Sequence, residues 1–214
     1  MKQKNPRNRS RGLILALAAA TVLPLLQGCV PLVAGGVGAG AAIVADRRTS
    51  GAYVEDEGIE WRAESALKDR LGDAVHINVT SYNRNVLLTG EAPTEAHRAE
   101  AERVTSGITN VKGVINEIQV AGISSLTSRG NDSLLTSKVK ARFVDASQFS
   151  PHRIKVVTEA GTVYLLGLVT RREADAATDI ARRTDGVRKV VRAFEYITDQ
   201  QARQLDGAAG KENP

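Results

Sequence analysis

Residues 154–173 read IKVVTEAGTVYLLGLVTRRE, and residues 77–90 read INVTSYNRNVLLTG. Both stretches have one plan. Val75, Ile77 and Val79 alternate with polar residues, the period of a half-buried strand. Tyr82-Asn83-Arg84-Asn85 then turns the chain back into the apolar run Val86-Leu87-Leu88. In the longer stretch Glu159-Ala160-Gly161-Thr162 makes the same turn, so each stretch is a β-hairpin. Thr170-Arg171-Arg172-Glu173 fits a capping box and opens a helix near residues 171–183.

Outward from the hairpins the chain repeats itself. Ile77 and Val86 match Ile154 and Val163 at a spacing of 77, and Gly90 matches Gly167 at the same spacing. Upstream, Ile59, Ala63 and Leu67 match Leu135, Val139 and Phe143 at a spacing of 76. Downstream, Val111 and Val114 match Val187 and Val190, again at 76. The upstream positions recur with helical spacing. Asp132 is the expected N-cap of the helix through Leu135, Val139 and Phe143. A helix after Pro93-Thr94 runs to about Ser106, and last strands cover Val114–Val120 and Val190–Ile197.

Each unit is therefore αββαβ. The hairpin strands must be antiparallel, and the strand–helix–strand crossover favours right-handed parallel pairing. The fold class is α+β, with two tandem domains, each a three-stranded mixed sheet packed on two helices that share one side. Cores of this size are marginal, so the two units are expected to support one another. The domain plan is residues 55–122 and 132–198, joined by a linker at 123–131. The tail 199–214 is polar, Gly/Ala-rich and Pro-ended, which predicts disorder.

The N-terminus belongs to a different class of segment. Residues 1–11 carry five basic residues and no acid, residues 12–26 are apolar apart from Thr21, and Gly28 precedes Cys29. A basic start, a short apolar core and a small residue before the cut read as a signal peptide over residues 1–28. The apolar run is shorter than the roughly 20 residues a bilayer span needs. Leu26-Gln27-Gly28-Cys29 resembles the lipobox of bacterial lipoproteins, with Gln27 where Ala or Ser is more usual. That resemblance implies that Cys29 becomes the acylated first residue. Residues 29–54 are then a Gly/Ala-rich tether, with the alternative that the tether lies partly in the membrane interface.

The formal charge of +5 follows from this targeting segment. Removing its five cations from the 29 Lys+Arg leaves 24, equal to the 24 Asp+Glu. A neutral mature chain gives poor support for a nucleic-acid partner. Cys29 is the one cysteine, so no disulfide can form within the chain.

The order of elements resembles the BON domain, with V-x-L-x-G ahead of the second helix in both units. Gly90 and Gly167 stand where that family places its most characteristic glycine. Asp46-Arg47-Arg48-Thr49-Ser50-Gly51, with Val54-Glu55-Asp56, resembles the lead-in of dual-BON outer-membrane lipoproteins, as does Asn116-Glu117-Ile118. The resemblance implies a non-enzymatic protein, lipid-anchored in the outer membrane and facing the periplasm. It implies roles in phospholipid binding, envelope integrity and cell division. Val30 is not the Asp that usually retains a lipoprotein in the inner membrane.

Catalytic and metal-binding patterns are weak. His76, His97 and His152 are far apart in sequence and have no His-x-x-x-His spacing, so no metal and no cofactor is expected. There is no Gly-x-Ser-x-Gly elbow. Gly35-Gly36-Val37-Gly38-Ala39-Gly40 lacks the Gly-Lys-Ser/Thr ending of a phosphate loop. Gly90 and Gly167 read as close backbone approaches.

Charge, by contrast, separates the two units. Residues 59–120 hold seven Lys+Arg and nine Asp+Glu, whereas residues 132–198 hold twelve and eight. On the first helix of the second unit Lys138, Lys140 and Arg142 have no acid among them. Leu134 falls off the core face, four residues before Lys138. An exposed leucine among cations suits contact with anionic phospholipid, and the dual-BON resemblance assigns lipid binding to this helix. The plainer reading is a solvated helix face with one stray leucine. The rival function is a periplasmic protein-interaction module that docks an envelope-assembly machine or the cell wall. Trp61 is expected to pack, for example between the units, because a tryptophan buries a large area, with a further membrane contact as the alternative. Arg171, Arg172, Arg182 and Arg183 spread around their helix as solvated charge.

Overall fold

The computed structural model describes residues 46–209. The signal-like segment, Cys29 and the tether up to residue 45 lie outside them. The first unit contains α1 (Ser50–Leu71), β1 (His76–Tyr82), β2 (Asn85–Ala92), α2 (Glu95–Ser106), β3 (Gly113–Asn116) and β4 (Gln119–Val120). The second contains α3 (Leu126–Ala146), β5 (Lys155–Glu159), β6 (Thr162–Val169), α4 (Arg171–Arg182) and β7 (Lys189–Tyr196). A last helix, α5 (Asp199–Ala209), follows. The hairpins β1–β2 and β5–β6 are antiparallel, and β2–β3 and β6–β7 are parallel. Both units are thus αββαβ with mixed sheets. The third strand of the first unit is broken: Glu117 N–H donates to Leu88 O, and Ile118 turns into the core.

Alternation along the central strands explains the architecture. Val86, Leu88 and Ala92 pack with Ile59, Ala63 and Leu67 of α1 and Ala101 of α2. Val163, Leu165 and Val169 pack likewise with Val139 and Phe143 of α3 and with Ala174, Ala177 and Ala181 of α4. The intervening residues point the other way. Tyr82 and Leu87 of one sheet meet Tyr164, Leu166 and Leu168 of the other in a third cluster. The two sheets therefore lie face to face with their helices outside. This shared core supplies the mutual support expected of two small units.

Three local expectations differ from the structure. Asp132 caps no helix, because α3 starts earlier, at its N-cap Ser125. Its carboxylate instead accepts from Ala160 N and Gly161 N, both at 2.9 Å. Asp56 does the same on α1, accepting from Asn83 N at 2.8 Å and Arg84 N at 2.7 Å. In both hairpins the two turn residues have positive φ, the mirror-image turn that matches strand twist. A buried aspartate on each first helix thus satisfies the outward N–H groups of its hairpin.

The second difference concerns boundaries. α1 takes in the last five tether residues, and α3 takes in most of the linker. Third, residues 199–209 are helical. Thr198 Oγ1 accepts from Gln201 N while Gln201 Oε1 accepts from Thr198 N, a reciprocal cap, and Ala202 is buried.

Gly90 shows why its position needs glycine. Its φ is +109°, and a Cβ there would lie 2.0 Å from His76 O on the paired strand. At Gly167 a Cβ would lie 2.5 Å from Arg153 O. Gly90→Ala is expected to destabilise the protein by about 2–4 kcal/mol, from backbone strain and forced strand separation. Urea denaturation of the variant beside the parent measures it.

Candidate functional site

α3 turns one stripe inward and leaves the opposite face bare. Asp132, Leu135, Val139 and Phe143 are buried at three- and four-residue spacing. Leu134 stands on the outer face, 64% exposed, and Leu126 and Val144 are also exposed. Lys138 and Lys140 are exposed and form no ion pair among the described residues. Steps of about 100° per residue put Lys138 beside Leu134 and Lys140 on the far side of the stripe. Leu134, Ala141 and Val144 thus share an outer face with exposed Ser137 and Asp145 among them and a lysine on each flank. Arg142 is exposed too, but its Nη1 donates to Arg183 O at 2.6 Å at the end of α4. It is partly committed to packing, whereas Leu134, Lys138 and Lys140 are free to meet something outside.

The equivalent face of α1 has a different character. Its inward stripe is Asp56, Ile59, Ala63 and Leu67. Trp61 lies opposite and is 72% exposed, with Val54 exposed about two turns before it. The expectation that Trp61 packs is therefore corrected, since the inward positions of α1 are already taken by smaller residues. Glu57 and Glu64 flank it, both exposed.

Where the lead-in reaches the two units, charge is buried and paired. Arg47 donates to Glu173 Oε2 at 2.6 Å, Asp206 Oδ1 at 2.9 Å and Leu168 O at 2.9 Å. Arg153 also reaches Glu173, at 2.8 Å, and Asp206, at 3.0 Å. Arg48 pairs with Asp46 and Asp56, and its guanidinium lies 4.1 Å from the centre of the Tyr82 ring. Residues 46–48 thereby clasp α1, the Tyr82 end of the first sheet, and α4 and α5 of the second unit. Burial pushes the Glu173 carboxyl up, but the Arg47 hydrogen bonds, the Thr170 N–H and the Arg153 contact outweigh it and hold the group at about 2.

The histidines remain apart from one another, but the fold gives one of them new neighbours. His76 and Glu91 are cross-strand partners, with His76 Nδ1 at 3.1 Å from Glu91 Oε2. Glu159 of the second unit comes up to this pair. Among the described residues, these three form the one group of histidine and carboxylates whose ligand atoms all lie within 4.8 Å of each other. His97 meets Thr94 Oγ1, and His152 is exposed. No described helix is long and apolar enough to cross a membrane.

The BON domain profile matches residues 56–122 and 131–198. Over 183 residues the chain is 37% identical to the outer membrane lipoprotein DolP of Haemophilus influenzae, covering 85% of this chain and 94% of that one. It is 35% identical to a 21 kDa hemolysin of Actinobacillus pleuropneumoniae, over 71% of this chain and 79% of that one. It is 28% identical to the osmotically-inducible protein Y of Escherichia coli, over 71% of this chain and 78% of that one.

The clasp generates a pH prediction. A carboxyl held below its ordinary value of 4.5 adds stability that is complete above that value and is lost as pH falls toward about 2. Unfolding free energy, followed by urea titration from pH 5 down to pH 2.5, should therefore fall less steeply in Glu173→Gln than in the parent.

Proposed function

Because this chain belongs to the BON-domain family and carries two of its domains, we propose that it is an outer-membrane lipoprotein whose second domain binds anionic phospholipid. In this reading Cys29 is acylated, the folded domains face the periplasm, and no reaction is catalysed. The wider role is maintenance of the envelope, including at the division site. The near full-length likeness to an outer membrane lipoprotein supports the location, together with the Leu-x-Gly-Cys sequence.

The observation that carries the lipid reading is the exposed face of α3, with Leu134 on it, Lys138 beside the leucine and Lys140 at the opposite flank. A leucine can enter the acyl boundary while the lysines meet phosphate groups. Each cation at an anionic surface contributes about 1 kcal/mol, so this contact alone is weak. The anchor changes the arithmetic, because tethering makes the second contact intramolecular and raises its effective concentration. Neither helix N-terminus nor pocket is needed: the site is a convex face that meets a plane.

A specific observation also favours a second reading for the other unit. Trp61 and Val54 form an exposed apolar face flanked by Glu57 and Glu64. Acidic flanks repel an anionic bilayer, so this face suits a protein of the envelope-assembly machinery rather than lipid.

Vesicle flotation separates these roles. Leu134→Glu with Lys138→Glu should abolish binding of the fragment from Asp46 to phosphatidylglycerol-containing vesicles while its melting curve stays put. Unchanged flotation removes the assignment. Trp61→Ala should leave flotation intact and, under the second reading, weaken capture of a protein partner by a crosslinker placed on α1.

A further inference from the structure

The two ends of the seam between the sheets are related by the internal repeat, and they are not filled alike. The 77-residue spacing pairs His76 with Arg153, Tyr82 with Glu159, and Glu91 with Leu168. At the Arg153 end, the cations of Arg47 and Arg153 stand against Glu173 and Asp206, and Tyr82 closes the cluster through Asp46. The carboxylates of Glu173 and Asp206 there are each paired with both guanidinium groups.

At the His76 end the balance is different. Glu91 and Glu159 are 5% and 4% exposed, and they approach each other across the seam with His76 between them. Glu91 Oε2 takes hydrogen bonds from Ser124 N and Oγ, and Glu159 Oε2 takes one from Asn78 Nδ2. The second oxygen of each carboxylate accepts no hydrogen bond among the described residues. Arg129 lines the same cleft, but its Nε and Nη2 donate to Ser124. Asp132, also on the cleft wall, is spent on the β5–β6 turn. The cleft, about 330 Å³, leads from solvent to His76 and Glu159. Two buried carboxylates facing one imidazole are costly unless a cation joins them.

We propose that His76, Glu91 and Glu159 form a site for a divalent transition-metal ion that ties the first BON domain to the second. One imidazole nitrogen and two carboxylate oxygens are a donor set that zinc accepts, with water completing the shell from the cleft. The His76–Glu91 distance of 3.1 Å is already within the span of two ligands on one ion. Ligand atoms on one tetrahedral zinc ion lie roughly 3.3 Å apart, so Glu159, whose carboxylate is within 4.8 Å of the other two, closes in on binding. The ion would do at this end what Arg47 does at the other, namely supply positive charge across the seam. The role is structural, and the site is distinct from the exposed α3 face.

Zinc titration of the full-length protein in detergent, against a competing chromogenic chelator and with melting curves alongside, tests the site. One equivalent should bind and raise the melting temperature. Glu159→Gln should weaken binding by more than about tenfold, since ligand loss exceeds the 10–100-fold typical of supporting residues. His76→Arg copies the second unit's residue into the first and supplies the cation covalently. It should fold, melt at or above the metal-free parent, and ignore zinc. His97→Gln should behave like the parent. Absence of saturable one-to-one binding, or binding that survives both His76→Arg and Glu159→Gln, overturns the proposal.

Discussion

A three-stranded sheet with both of its helices on one face has a second face that must also leave water. Here that face holds Tyr82 and Leu87 in one unit and Tyr164, Leu166 and Leu168 in the other. Either unit alone would show an apolar patch of the kind that marks an interaction surface. Laying one sheet on the other removes both patches at once. Everything else follows from that closure. It sends the first helices outward, sets β1 beside β5, and makes the two ends of the seam into places where charge is buried. With only 4% aromatic residues in the chain, two of the four tyrosines are invested in this layer.

Within this frame the two copies have diverged in what they offer to the outside. The backbone devices are common to both: an aspartate on the first helix beneath the hairpin turn, and a glycine where another stretch of backbone passes closely. The outward faces of α1 and α3 are under no such constraint. One has acquired a tryptophan among glutamates and the other a leucine among lysines. Difference in surface chemistry on a common scaffold is what division of labour between repeats requires.

The parts legible in the sequence are those fixed by short-range pattern. Strand alternation, the Thr170–Glu173 cap and the repeat itself located ten of the elements and their order, because each signal spans a few residues. Asp132 was misplaced because a helix cap and a turn acceptor ask for the same side chain, and only tertiary structure tells them apart. The Thr198–Gln201 box was present in the sequence, but the Gly/Ala-rich composition around it pointed to disorder. Trp61 shows the limit of residue preference: large aromatics tend to be buried, yet the face a residue occupies is set by its helical phase. The phase of Ile59, Ala63 and Leu67 was enough to place it outside. On α3 the same phase argument put Leu134 outside, where the structure has it. His76 and Glu91 meet through the register of the first hairpin, but Glu159 joins them only through the stacking of the sheets, which nothing in its spacing from them encodes.

The lead-in residues bear on how the molecule carries load. Arg47 and Arg48 stand between the N-terminal segment and α1, and their guanidinium groups are gripped by both units. A pull applied from the N-terminal side is therefore shared by the two lobes at their seam before it reaches the first turn of α1. The same grip makes the connection at residues 121–125 mechanically redundant. A protease nick there would yield two fragments that remain a single particle, held by the stacked sheets and by Arg47 reaching across the join.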